Sequence, residues 1–145
     1  HGVRPPTGVA SDELVYLCRG DRGGNPDEVK RLLSRGADVN HRDHKGKAAL
    51  HRASKAGFLK TMTVLLDHGA LVESEDFKGE TPLFDAVRST IKDKGKKHQA
   101  IQLLLQAGAS PQHRNTRGIT PLTVAEKLTG SESQALVRLL ECQSK

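Results

Sequence analysis

A chain of 145 residues is one domain's length, and with 35% hydrophobic residues, 3% aromatics and no tryptophan it excludes a large aromatic core. Its formal charge of +6, from 23 basic less 17 acidic residues, permits an anionic partner without requiring one. The longest apolar stretches, such as Ile101 to Leu105, fall far short of the roughly 18 residues that suggest a membrane span.

In chain order, residues 1–10 carry no apolar segment of the kind a secretory signal has, and His1 in place of Met leads us to expect a segment of a longer, intracellular protein, cytoplasmic, nuclear or both. Ser11, Asp12 and Glu13 ahead of Leu14 predict a helix start with acidic residues in its first turn, read as an N-terminal cap. Leu32-Leu33 and Gly36-Ala37 follow, and both return 33 residues later as Leu65-Leu66 and Gly69-Ala70; Gly46 and Gly79 keep the same interval, as do Leu17, Leu50 and Leu83. Leu104-Leu105 arrives six residues late, which places an insertion in the third unit. Self-similarity at this period predicts a stacked array, in which each unit buries a narrow aliphatic stripe against its neighbours.

Within the third unit, Asp76-Phe77-Lys78-Gly79 predicts a turn and Thr81-Pro82-Leu83 a helix start. The Thr hydroxyl accepts from a first-turn amide, and Pro suits a position whose N–H has no partner anyway. A second helix is predicted from about His98 to Ala107, closed by Gly108. In the second unit Ala48 supplies no such hydroxyl, a loss of about 1 kcal/mol. The last unit is expected to have a stretched inter-helix loop at 128–131 and to end in polar Glu141, Gln143, Ser144 and Lys145.

Several stretches resemble the ankyrin repeat family. Gly79-Glu80-Thr81-Pro82-Leu83-Phe84-Asp85-Ala86 and Gly118-Ile119-Thr120-Pro121-Leu122-Thr123-Val124-Ala125 are similar to its Gly-x-Thr-Pro-Leu-His-x-Ala stretch, with Phe84 and Thr123 in the place of His. Gly46-Lys47-Ala48-Ala49-Leu50-His51-Arg52-Ala53 keeps the His and lacks the Thr-Pro. Leu32-Leu33-Ser34-Arg35-Gly36-Ala37-Asp38-Val39-Asn40 matches the family's repeat ending throughout. The likeness runs from about Ser11 to Leu140. It implies an all-α solenoid of helix-turn-helix units with β-turn or hairpin fingers, in a domain at 11–142 with repeats near 11–42, 43–75, 76–114 and 115–142, and with 143–145 as a tail.

By the same resemblance, the array is expected to bind a protein partner through a concave face made of the finger tips and the exposed side of each first helix. Carried onto this sequence, that face comprises Arg42, His44, Lys45, Lys47, Arg52 and Lys55, then Phe77, Lys78, Glu80 and Arg88, then Arg114 and Arg117. Phe77 is the expected anchor, because an aromatic at a turn tip has little core to bury into. Arg52 and Asp85, one period apart, are expected to stand side by side and pair. The resemblance also marks Asn40 as an asparaginyl hydroxylation site, a trait of the fold.

Catalysis is not indicated. No nucleophile has an evident base, and Gly20, Gly23 and Gly24 lack the Lys-Ser/Thr of a phosphate loop. Cofactors and metal are expected to be absent: His41 and His44, three apart in a turn, have only Asp43 nearby. His51 is read as an internal hydrogen-bonding group. Cys18 and Cys142 fall in the first and last units, too far apart for a disulfide, and read as unreactive thiols. Two other functional readings stand beside the protein-binding one. The basic run at 90–98, with four lysines against one acid, is a contact for nucleic acid or an anionic membrane in one; the array is a spacer between other domains in the other.

Overall fold

The computed structural model describes residues 7–20, 23–128 and 130–143. Its helices are α1 (Thr7–Leu17), α2 (Pro26–Ser34), α3 (Ala49–Ala56), α4 (Leu59–Asp67), α5 (Pro82–Val87), α6 (Lys94–Gln106), α7 (Pro121–Glu126) and α8 (Gly130–Gln143). They pair as α1/α2, α3/α4, α5/α6 and α7/α8. The odd-numbered helices stack on one another in sequence order, and the even-numbered ones form a second, outer row. Among the described residues there is no strand, only an isolated antiparallel bridge between Arg42 and Ala48. The all-α solenoid implied by the repeat is therefore the fold.

The Gly-Ala doublets owe their position to the ends of the outer helices. Gly36, Gly69 and Gly108 take φ values of 96°, 89° and 104°. The amide of the following alanine then turns back to a leucine carbonyl, Ala37 to Leu32 at 3.1 Å, Ala70 to Leu65 at 3.0 Å and Ala109 to Leu104 at 2.9 Å. A left-handed residue closes a helix in this way, and only glycine takes that conformation without a side-chain penalty. The leucines that accept these bonds are themselves core residues between the two rows, with Leu50, Leu83 and Ile101 almost wholly buried. Leu17, placed in register with Leu50 and Leu83, is only partly buried; Leu14 takes the core position in α1.

Four local expectations need correction. The first helix begins at Thr7, so Ser11 lies inside it; its buried hydroxyl accepts the Asp38 amide at 2.7 Å and ties the first unit to the turn that follows α2. The helix of the third unit starts at Lys94 rather than His98, because Asp93 caps it by accepting the Lys96 amide, and the stretch 94–98 is helix instead of loop. The stretched loop at 128–131 is likewise short, since α8 starts at Gly130; Thr129 lies outside the described residues, as do Ser144 and Lys145.

The fourth correction concerns the caps. Thr120 caps α7 as expected, accepting the Thr123 amide at 3.1 Å, whereas the buried Thr81 hydroxyl caps nothing and has no partner. The units differ three residues on. In the fourth unit Thr123 offers a hydroxyl 3.0 Å from that of Thr120, while in the third unit the corresponding residue is Phe84, which offers none. A buried hydroxyl without a partner is a cost of about 1–3 kcal/mol. Thr81→Val is therefore expected to leave stability unchanged or to raise it by about 1 kcal/mol, read from the midpoint of urea unfolding. A loss of more than about 1 kcal/mol would mean that the hydroxyl has found a partner.

Candidate functional site

The fingers are built by one side chain repeated at their base. Asp43, Asp76 and Asn115 each accept two amides of their own turn through one oxygen: Lys45 and Lys47 at 2.9 and 3.0 Å, Lys78 and Glu80 at 2.8 and 3.0 Å, and Arg117 and Ile119 both at 2.9 Å. Asx side chains that bond two residues ahead are turn-makers for this reason. The fingers are also joined edge to edge, since the Phe77 amide donates to the Lys45 carbonyl at 3.2 Å and the Thr116 amide to that of Lys78 at 3.0 Å. Asn40 adds a side-chain tie of the same kind, donating to the Gly69 carbonyl at 3.2 Å and accepting the Leu71 amide at 2.8 Å.

Between the second and third fingers and helices α3 and α5 lies a cleft of about 540 Å³. Of the twelve residues carried onto the concave face, nine line it: His44, Lys45, Lys47, Arg52, Lys55, Phe77, Lys78, Glu80 and Arg88. Arg42 sits at its edge, with its guanidinium 6.0 Å from the centre of the Phe77 ring and a bond to the Glu75 carbonyl at 2.9 Å. Arg114 and Arg117 are exposed on the fourth finger and do not line it. Phe77 lies against the neighbouring finger at Gly46 and is still 68% exposed.

The floor of the cleft is a buried ionic network that the sequence did not disclose. The ammonium of Lys47 lies 2.8 Å from Asp76 and 3.0 Å from Asp85, and both carboxylates are buried. Arg52 pairs instead with Asp43 at 2.5 Å, so the expected pairing of Arg52 with Asp85 does not form: Lys47, at the foot of the finger, reaches the acid first. Glu80, also buried, is held by Arg88 on one oxygen and by the Asn115 amide at 2.8 Å on the other. His51 links the network to the backbone. Its Nδ1 accepts the Ala48 amide at 3.1 Å, which leaves Nε2–H to donate to the Glu80 carbonyl at 2.9 Å.

Charges in this network are set by burial opposed by partners. Burial pushes the Asp85 carboxyl above the usual carboxylate range, against the pull of Lys47 and His51. Burial acts the same way on Asp76, yet the bonds from Lys47 and from the Glu80 and Lys78 amides outweigh it and hold that carboxyl below the range. For Lys47 the two carboxylates outweigh burial and raise its pKa. Burial lowers His51, which keeps the ring neutral. Burial also drives the Cys18 thiol up to about 12, which makes it a poor nucleophile; the Cys142 side chain lies outside the described residues. Oxygens of Asp76, Glu80 and Asp85 approach within 4.8 Å of one another, but they are already matched by cations of the chain, Lys47 on Asp76 and Asp85 and Arg88 on Glu80. His41 is bonded to Asp12 at 2.5 Å and does not join His44 in a ligand set.

These contacts divide the basic residues of the cleft into two kinds. Lys47, Arg52 and Arg88 are committed to carboxylates of the chain. Lys45, Lys55 and Lys78 are exposed and have no carboxylate within ion-pair reach among the described residues. The basic run of the third unit is likewise depleted. Lys97 is buried and pairs with Glu132 of α8 while donating to the Ser89 carbonyl at 2.9 Å, and Lys94 approaches the same carboxylate at 3.6 Å.

Repeating helix pairs, joined fingers and a cleft on the finger side define a repeat-protein interaction module. The family model of ankyrin repeats, in three copies, matches residues 14–115, and the chain belongs to that family of non-catalytic protein–protein interaction modules. It is similar to the human BCL-6 corepressor-like protein 1, at 37% identity over 116 residues covering 79% of this chain and 6% of that protein. It is also similar to human Rabankyrin-5, at 30% over 77% of this chain and 10% of that one, and to the rice potassium channel KOR2, at 36% over 53% and 11%. The chain thus spans about a tenth or less of these relatives. Among the described residues no helix is long and apolar enough to cross a membrane.

Proposed function

We propose that this array is the protein-binding module of a larger intracellular adaptor, scaffold or regulatory protein, and that the cleft between the second and third fingers holds a segment of the partner. The segment carries Asp, Glu or phosphate next to an apolar residue. One observation supports this above others: the exposed ring of Phe77 stands in a formed cleft beside lysines that have no carboxylate partner among the described residues. A burial-ready aromatic surrounded by unspent positive charge suits an anchor with electrostatic steering. The reading of the 90–98 run as a nucleic-acid or membrane contact is less favoured, because its Lys97 is buried in an internal ion pair.

Affinity capture with the isolated chain, followed by mass spectrometry, supplies the ligand for the test. Phe77→Ala is expected to weaken binding of that ligand about thirtyfold, as loss of a hot-spot aromatic of about 2 kcal/mol does. Lys45→Glu is expected to slow association and to reduce its dependence on salt. Wild-type affinity in both variants would remove the cleft from consideration.

A further inference from the structure

The concave face does not carry one sign of charge. A second cleft of about 520 Å³ adjoins the first toward the N-terminal unit and shares His44 and Arg52 with it. Its acids are Asp12, Glu13 and Asp43, against the cations Arg19 and Arg52. The commitments run opposite to those of the first cleft. Here Arg52 pairs with Asp43, while among the described residues Glu13 is exposed with no cation within ion-pair reach, and Asp12 is 72% exposed with His41 as its ion-pair neighbour. In the first cleft the three carboxylates are the buried, satisfied groups and the outward charges are lysines. Each cleft also has an exposed aromatic: Tyr16, 43% exposed with Arg19 stacked 5.4 Å away, and Phe77.

We propose, building on the docking reading above, that the partner segment is itself of mixed charge. A Lys or Arg lies over Glu13 and Asp12 with its stem against Tyr16, and an Asp or Glu flanked by an apolar residue lies between Lys45, Lys78 and Phe77. The two clefts are one structural unit apart, and packed helices lie about 8–10 Å from their neighbours. An extended chain advances about 3.3 Å per residue, which puts the basic residue about three positions from the acidic one. The flat ring of Tyr16 suits the methylene stem of a long cation, whose charged end then reaches the carboxylates. A partner with only acidic residues meets Glu13 and Asp12 unfavourably, so the face discriminates against uniformly acidic segments as well as basic ones.

A displayed library of short random peptides, selected on the whole chain, reads this directly. The wild-type chain is expected to enrich sequences that combine a basic residue with an acidic-apolar pair about three positions away. Glu13→Lys is expected to abolish the basic preference and keep the acidic one, and to weaken a synthetic copy of the enriched peptide about two- to fivefold, the range of an exposed ion pair. Lys45→Glu with Lys78→Glu is expected to do the converse. Circular dichroism checks that these surface variants stay folded. Acidic peptides enriched without a basic residue, or a basic preference that survives Glu13→Lys, would overturn the mixed-charge proposal alone. Peptides that bind Phe77→Ala as tightly as wild type would remove the docking reading beneath it, and the absence of any enriched sequence counts against both.

Discussion

Lys47→Met is expected to lower the stability of the array by about 3–5 kcal/mol, the usual effect of removing one partner from a buried ionic group. Asp76 and Asp85 are both buried, and Lys47 is the cation that both of them contact. Without it, burial and the charge of Asp76 push the Asp85 carboxyl up against the pull of His51, and Asp76 keeps only its turn amides. The pH dependence has a definite sign. In the variant the Asp85 carboxyl, raised above its ordinary value even beside Lys47, loses the charge that chiefly opposes burial, and a group raised in this way favours the folded state in acid and loses that contribution as pH rises through the folded pKa. The defect of Lys47→Met therefore shrinks as pH falls toward about 4, the unfolded value of Asp. Adding Asp85→Leu is expected to recover part of the loss at neutral pH, since it removes one of the two buried carboxylates and leaves Asp76 with its turn amides. Urea unfolding at several pH values measures all of this; a pH-independent loss below about 1 kcal/mol would mean that water reaches the floor of the cleft.

Gly46→Ala is expected to cost about 3 kcal/mol, well above Gly69→Ala at about 1 kcal/mol. Both glycines are left-handed, with φ of 78° and 89°, so both substitutions carry the strain of a side chain in that region, about 1–2 kcal/mol. They differ in what the new methyl meets. At Gly69 nothing lies within 4 Å, whereas at Gly46 a Cβ falls 2.8 Å from the Phe77 backbone nitrogen and 2.7 Å from its ring. The ring can turn aside, but the nitrogen belongs to the finger-to-finger bond with Lys45, so the fingers must part. Gly46→Ala is accordingly expected to weaken ligand binding even under conditions in which the chain remains folded. Equal losses at the two positions in thermal unfolding would show that the fingers have room to separate.

How much of this was legible in the sequence depends on range. The helix-closing glycines, the aliphatic pairs and the finger positions follow from a strict interval, because each unit repeats the same backbone and backbone geometry is what the interval encodes. The turn-making Asx residues could have been read the same way: Asp43, Asp76 and Asn115 each stand three residues before a glycine of the repeat, Gly46 and Gly79 at the regular interval and Gly118 after the six-residue insertion. What the interval does not encode is the choice of partner among competing side chains. Register placed Arg52 beside Asp85, yet Lys47 takes that acid and Arg52 turns to Asp43. Thr81 matched the pattern and still lacks a partner, because the residue three places on is Phe84. Lys97 counted as one of a run of surface charges, and its burial depends on α8, a helix more than thirty residues away in the chain.

The central claim, that a partner segment lies in the cleft between the second and third fingers, is tested most directly by titrating an isotope-labelled chain with the peptide enriched from the library and following the backbone amide resonances. The account predicts the largest shifts at Lys45, Gly46, Phe77 and Lys78, extending to Glu13 and Tyr16, with the outer helices α4 and α6 little changed. Shifts concentrated on α4 and α6 with the finger amides unmoved would contradict it.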